Sequence, residues 1–354
     1  METPVRQSIG IDIAKATFTA CVGKYFTDGN VTFGAVAEFE NSKRGFNQLL
    51  KWSRKQCSVK VPTIYVMEAT GVYYEPLAYH LHKLKLQVSV LLPNKVKHYA
   101  KSLNVKTKND TVDARLIARL GSERVLANWE PPAPVFRQLR SLTRLYSSLK
   151  SQRTAFTNQL HSIKAGEISD ALVVKSLKSI ISKMDKEIEK LEASIASLVK
   201  SEAFLQQKVE KLMTIKGVGL ITIAVVLAET QGFEQINSNK QLASYAGYDV
   251  VERSSGSSVK GKTRISKKGN SRIRAALHFP ALVAAMHNPE LKAIYLRINE
   301  GKRSKMIGAT AIQRKLLILM YTLWKYDTIY QTPDERFADQ KQSRQPIKEA
   351  ACTG

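Results

Sequence analysis

The sequence predicts an α/β domain followed by an all-α region. Two patterns and one break carry this reading. Up to about residue 120, β-branched segments alternate with segments of helical apolar spacing, which marks a mixed sheet with helices packed on it. From Leu139 to Leu212 the apolar spacing is helical throughout. Between the two lies WEPPAP, residues 129–134, whose prolines interrupt any helix.

QSIGIDIAKATFTACVG, residues 7–23, alternates and predicts a strand or the first arm of a hairpin; YFTDGN supplies the turn after it. VTFGAVAEFE continues as a second and third strand. SKRGFNQLLKWSRKQ carries apolar residues at helical spacing. VPTIYVMEATG is a short apolar strand ending in a loop, YEPLAYHLHKLK a helix and QVSVLLPN a further buried strand. VKHYAKSLNVKTKND reads as a basic loop leading into the helix TVDARLIARLGSE, capped by Asn109 or Asp110. WEPPAP then closes a first domain, 1–130.

In the region 131–212, Leu139, Leu142, Leu145, Leu149, Phe156 and Leu160 share one face of a long helix. From Met184 the step alternates four and three through Ile188, Leu191, Ile195, Leu198, Leu205, Val209 and Leu212, broken once at Glu202. This predicts a coiled-coil linker, packed within the chain or against a second copy. A third region, 213–330, opens on IKGVGLITIAVVLAE, read as a helix-hairpin-helix whose turn at Gly217 and Gly219 offers backbone amides to phosphate. The polar tail, 331–354, is expected to be disordered.

Lys and Arg number 55 against 30 for Asp and Glu, a net charge of +25 in 354 residues. Such an excess repels itself unless an anion neutralises it, and nucleic acid is the natural partner. Cys21, Cys57 and Cys352 are far apart and match no zinc spacing. The N-terminus METPVRQSIG lacks the apolar core of a secretory signal, and no uncharged apolar stretch of membrane-spanning length occurs, so no membrane partner is expected.

Four acids stand out. Asp12 lies inside the apolar strand GIDIA, where an ionised carboxylate is costly unless paired or bound to metal. Glu68 ends a second apolar strand, YVMEATG. Asp110 and Asp113 lie one helical turn apart in NDTVDA. Carboxylates on strand ends and one helix face suit a hard divalent cation, Mg2+ or Mn2+, beside a scissile phosphate. Residues 253–289 contain no acid, but they hold Arg253, Lys260, Lys262, Arg264, Lys267, Lys268, Arg272 and Arg274, threaded through SSGSSVKGKTRISKKGNSR. Small residues admit phosphate close to the backbone and the cations neutralise it. On chemistry alone, Ser254, Ser255, Ser257 and Ser258 each read as phosphate-binding or turn hydroxyls.

IGIDIAK, EATGVYYEP, KTKNDTVDARLIA, the Gly-Val-Gly turn, QLASYAGY and SSGSSVKGKTRISKKGNSRIRAAL, in this order, resemble the insertion-sequence family 110 of DEDD transposases, which includes the Piv-type DNA invertases. The resemblance spans roughly residues 8–325. It implies an RNase H-like (RuvC-like) first domain whose Asp12, Glu68, Asp110 and Asp113 bind Mg2+, and a helical C-terminal domain carrying a catalytic serine. The family's Glu-Ser-Gly-Ser-Ser-Val falls on Arg-Ser-Ser-Gly-Ser-Ser-Val here, which places the nucleophile at Ser255, with the extra Ser254 before it. It further implies donor and target DNA as substrates, a 5′-phosphoserine intermediate, a structured guide RNA in the transposase branch, and a homo-oligomer in which the acids of another protomer assist. The expected location is the bacterial cytoplasm, at the nucleoid. Two alternatives carry different predictions: an invertase without guide RNA, and a metal-dependent nuclease of the junction-resolvase type, which needs the acids but not the serine.

Overall fold

The computed structural model describes residues 3–69, 71–107, 109–167, 170–252, 254–255, 259–260 and 263–331, with the backbone alone at 254, 255, 259 and 260. The chain divides into two compact units, Met1–Pro131 and Pro132–Gly354. Among the described residues no helix is long and apolar enough to cross a membrane. All but the first residue of the polar tail lies outside the described residues.

The first unit comprises β1 (Arg6–Ile13), β2 (Thr17–Tyr25), β3 (Val31–Glu40), α1 (Lys43–Gln56), β4 (Thr63–Glu68), α2 (Glu75–Lys83), β5 (Gln87–Leu91), α3 (Pro93–Ser102) and α4 (Asp110–Glu123). Its strands form one sheet in the order β3-β2-β1-β4-β5. β1, β2 and β3 are an antiparallel meander, and β4 and β5 run parallel to β1. Residues 7–23 hold two strands rather than one. The chain reverses at 14–16, where the Ala14 N–H donates to the Thr17 carbonyl at 2.9 Å and Asn41 Nδ2 donates to the Ala14 carbonyl at 3.0 Å. No Gly, Pro or Asn marks that turn; a side chain from beyond β3 closes it. VTFGAVAEFE is a single strand.

β1 is buried on both faces, which explains its near-continuous apolar run. Ile9, Ile11 and Ile13 pack with Phe46 and Leu49 of α1 and Leu77 and Leu81 of α2. The opposite face is made of small residues, and α4 lies directly on it. A Cβ at Gly10 would sit 2.0 Å from the Ala118 nitrogen and 2.4 Å from the Ala114 oxygen; one at Gly23 would sit 2.8 Å from the Ala118 oxygen. The Ser8 hydroxyl donates to the Ala118 carbonyl at 2.5 Å. α3 occupies what the sequence reads as loop. Pro93 opens it, and Val96 and Tyr99, one turn apart, bury against Leu116, Ile117 and Leu120 of α4.

The second unit begins with α5 (Pro134–Ala165) and α6 (Ala171–Ser201). They form an antiparallel hairpin in which Tyr146 faces Glu192 and Arg153 pairs with Asp185. Leu145, assigned to the inner stripe by sequence, is 52% exposed; the half-buried Tyr146 takes its place. α6 ends at the predicted break, with Glu202 joining it to α7 (Ala203–Met213). There follow α8 (Leu220–Thr230), α9 (Asn239–Ala246), β6 (Val250–Val251), β7 (Ser254–Ser255), β8 (Val259–Lys260), β9 (Arg264–Ile265), α10 (Ser271–Ala276), α11 (His278–His287), α12 (Pro289–Asn299) and α13 (Met306–Tyr326). Leu139 and Ile195, at the base of the hairpin, share one core with Leu212, Ile223, Leu242, Ile273, Leu316 and Met320.

Candidate active site

In the first unit the carboxylates lie toward one edge of the sheet, the one formed by the carboxyl ends of its parallel strands. β1 and β4 pair in parallel up to Ile11 and Met67, so Asp12 and Glu68 stand one step further along, on neighbouring strands. Both lie on the face that α4 covers. Ser8 and Gly10 contact α4, and Asp12 follows them at period two; Val66 packs with Leu116 and Ile117, and Glu68 follows it likewise. Gly10 sits against Ala114 and Ala118, and Ser8 against Ala118 and Gly121, so α4 runs antiparallel to β1. Two residues of strand, ~6.6 Å, match about four residues of helix, ~6 Å, which brings Asp12 level with the first turn of α4. That turn carries Asp110 and Asp113. Its cap is Asn109, whose side chain accepts from the Val112 N–H at 2.8 Å. Asp110 is exposed, while Asp12, Glu68 and Asp113 are half-buried. Among the described residues, no three His, Cys, Asp or Glu side chains group tightly enough, as they stand, to hold a metal ion.

In the second unit, Ser254 and Ser255 form one arm of a small hairpin, paired antiparallel with Lys260 and Val259 respectively. Arg253 and Lys262 lie outside the described residues, as do the side chains of Ser254, Ser255 and Lys260. Arg264, Lys267, Lys268 and Arg272 are exposed. Arg274 is committed to structure: its Nη1 donates to the Ala246 carbonyl at 2.7 Å and the Gly269 carbonyl at 3.2 Å, closing the C-terminus of α9. The two turn glycines differ. Gly217 has φ +91° and presses on α11, where a Cβ would come 3.1 Å from the Ala284 nitrogen. Gly219 has open space around it at the N-terminus of α8, which has no side-chain cap.

The sequence reading missed Glu229, the centre of a polar cluster that anchors the basic segment. Its side chain is 2% exposed. Arg144 Nε donates to one carboxylate oxygen at 2.8 Å and Nη2 to the other at 3.1 Å. Asn270 Nδ2 donates at 2.7 Å, and Tyr245 Oη donates to the Glu229 carbonyl at 2.7 Å. The Asn270 side chain in turn caps α10, accepting from Arg272 and Ile273. Glu229 therefore ties α5 to the end of the segment that holds Arg264, Lys267 and Lys268. The available signal was the one that exposes Asp12: an acid within an apolar run.

Burial by itself raises a carboxyl group, but the hydrogen bonds from Arg144 and Asn270 and the charges of Arg144 and Arg140 outweigh it and hold Glu229 below its usual value. A folded value below the unfolded one contributes stability that is full above the ordinary glutamate range and is lost as pH falls through the folded value. Glu229→Gln is expected to cost about 2–3 kcal/mol at neutral pH, below the figure for a fully buried pair because Arg144 keeps part of its water. Urea unfolding at neutral and acid pH checks this, and the gap between wild type and variant is expected to narrow on acidification.

The DEDD transposase model of the IS110 family matches residues 9–163, and the transposase model of the IS116/IS110/IS902 family matches residues 209–296. The pilin gene-inverting proteins of Moraxella bovis and Moraxella lacunata are each 31% identical to the chain over 321 residues, covering 89% of it and 94% of their own length. The transposase for insertion sequence element IS1111A of Coxiella burnetii is 23% identical over 345 residues, covering 89% of the chain and 88% of that protein. With the family models spanning both units, the chain belongs to the IS110 family of transposases, enzymes that cut and rejoin DNA.

Proposed function

We propose that this chain recombines DNA through a serine nucleophile, assisted by a divalent cation held at the carboxylate edge of the first unit. The observation that carries the reading is the parallel register of β1 and β4, which sets Asp12 beside Glu68 under the first turn of α4. The sheet order β3-β2-β1-β4-β5, with an antiparallel meander and helices on both faces, supports an RNase H-like fold for residues 1–130. The α5–α6 hairpin supports a helical linker at 131–212, and the serine belongs to a domain at 213–330.

The oxygen-only donor set fits Mg2+ or Mn2+. Asp12 and Glu68 would hold the ion, with Asp110 and Asp113 drawn in from α4. When bound, it supplies charge stabilisation at the phosphate and at the attacking and leaving oxygens. Ser255 Oγ bonds to the scissile phosphorus as the bond from phosphorus to O3′ breaks, and the serine proton is balanced by the one that O3′ gains. The 5′-phosphoserine keeps the phosphodiester energy, so a 3′-hydroxyl can attack it and reseal the strand. Arg253, Lys260, Lys262, Arg264, Lys267, Lys268 and Arg272 would neutralise phosphates around it, and the open amides at Gly219 would receive another. The charge of +25 accords with backbone contacts, which is what a protein guided by a structured RNA needs. The pilin gene-inverting relatives favour a second reading of the outcome, inversion of a DNA segment by the same strand chemistry; such an invertase would act without a guide RNA.

The test is to incubate the protein with Mg2+ and DNA flanking its own gene, with and without the transcript of the adjoining non-coding DNA, then denature. A protein–DNA adduct is expected, retained in Ser254→Ala and lost in Ser255→Ala. Cleavage without adduct would identify a junction-resolvase type of nuclease, and neither product would remove the enzymatic reading. Dependence on the transcript separates the guided transposase from the invertase. Homo-oligomerisation is checked by mixing Ser255→Ala with Asp12→Asn, which should restore activity if the serine and the acids act across protomers.

A further inference from the structure

We infer that α3 and the segment after it, residues 92–107, form a surface that holds the DNA strand against the carboxylate edge. The identity of the strand rests on the reading of that edge given above; the binding itself rests on charge and placement. Residues 92–107 contain Lys95, Lys97, Lys101 and Lys106, with His98 among them, and no Asp or Glu. All five side chains are exposed. None of the lysines makes an ion pair among the described residues.

The placement is fixed by the fold. β4 and β5 pair so that Leu91 stands beside Glu68, and the Ala69 N–H donates to the Leu91 carbonyl at 2.8 Å. α3 starts two residues later, at the carboxyl ends of the parallel strands, where open α/β sheets take their ligands. It starts beside those ends and docks along the helix that carries Asp110 and Asp113: Val96 and Tyr99 enter the shared core, and Tyr99 Oη donates at 2.5 Å to Glu123, at the opposite end of α4 from the aspartates. The lysines are therefore carried on a rigid support. Four carboxylates at one edge repel a polyanion, and a flanking basic helix offsets that repulsion. A helix of ten residues spans ~15 Å, the rise of about four nucleotides of one strand.

The test is the full chain carrying K95Q, K97Q and K101Q together, titrated with a fluorescent DNA duplex across a range of salt concentrations. Each phosphate contact on B-DNA contributes a salt slope of about 0.9, so the slope is expected to fall by about two to three. An unchanged slope overturns the inference, as does a loss seen with an A-form RNA duplex but not with DNA. Unchanged thermal unfolding shows that the variant folds. If it does not, Lys95→Cys, at the start of α3 nearest Glu68, bearing a photo-crosslinker is read instead: crosslinks beside the scissile phosphate are expected, and their absence or even scatter along the duplex overturns the inference. The functional reading fails separately. Cleavage that persists in Asp12→Asn sinks that reading and leaves the salt slope as it was measured.

Discussion

Asp12→Asn is expected to lower DNA strand cleavage by about 10³-fold or more without weakening DNA affinity at a given salt concentration. Asparagine keeps the shape of the side chain and removes one charge and one hard ligand oxygen. A ligated divalent cation supplies several kcal/mol of stabilisation at the reacting phosphate, and each ~1.4 kcal/mol is a factor of ten in rate. Binding is expected to hold or tighten, because a carboxylate neutralises no phosphate and its charge repels the polyanion. Denaturing gels read the cleavage and fluorescence anisotropy the affinity. Cleavage at the wild-type rate would show that this edge is not where strands are cut. A parallel loss of binding would make Asp12 a structural residue.

What the sequence discloses and conceals can be traced residue by residue. Asp12 and Glu68 are visible because an acid in an apolar strand violates a local rule. Their adjacency is not visible, because it depends on β4 returning parallel to β1 across a helical crossover. The heptad spacing of α6 is local, and so is its end at Glu202. On α5, hydrophobicity selects Leu145, whereas the hairpin register selects Tyr146, which reaches Glu192. α3 is hidden by its lysines: its apolar stripe is Val96 and Tyr99, too short to register as a period, and it becomes a helix by docking on α4. Arg274 and Arg264 look alike in sequence. One closes a helix terminus and the other is exposed, a difference set by where α9 ends.

Gly10→Ala tests the same edge from the backbone side, and it is expected to be among the most damaging single-methyl substitutions in the first unit. The added Cβ would lie 2.0 Å from the Ala118 nitrogen, 2.4 Å from the Ala114 oxygen and 2.6 Å from the Ala118 Cα. All three are backbone atoms of α4, so no rotamer relieves the clash and the helix must lift from the sheet. Overpacking typically costs about 1–3 kcal/mol, and a clash of backbone with backbone falls at or above the top of that range. At roughly 3 °C per kcal/mol for a unit of this size, Tm is expected to fall by about 10 °C. Gly34→Ala is the control: its Cβ would meet the Val22 side chain at 3.3 Å, which can give, and little change is expected. Activity adds the informative comparison. α4 carries Asp110 and Asp113, and lifting it separates them from Asp12 and Glu68, so cleavage well below Tm is expected to be lost out of proportion to the folded fraction. DNA affinity measured on the same folded material is expected to stay near wild type. A Gly10→Ala protein that is destabilised yet cleaves normally once folded would mean that the contact of α4 with β1 holds the unit together without setting the distance between the carboxylates.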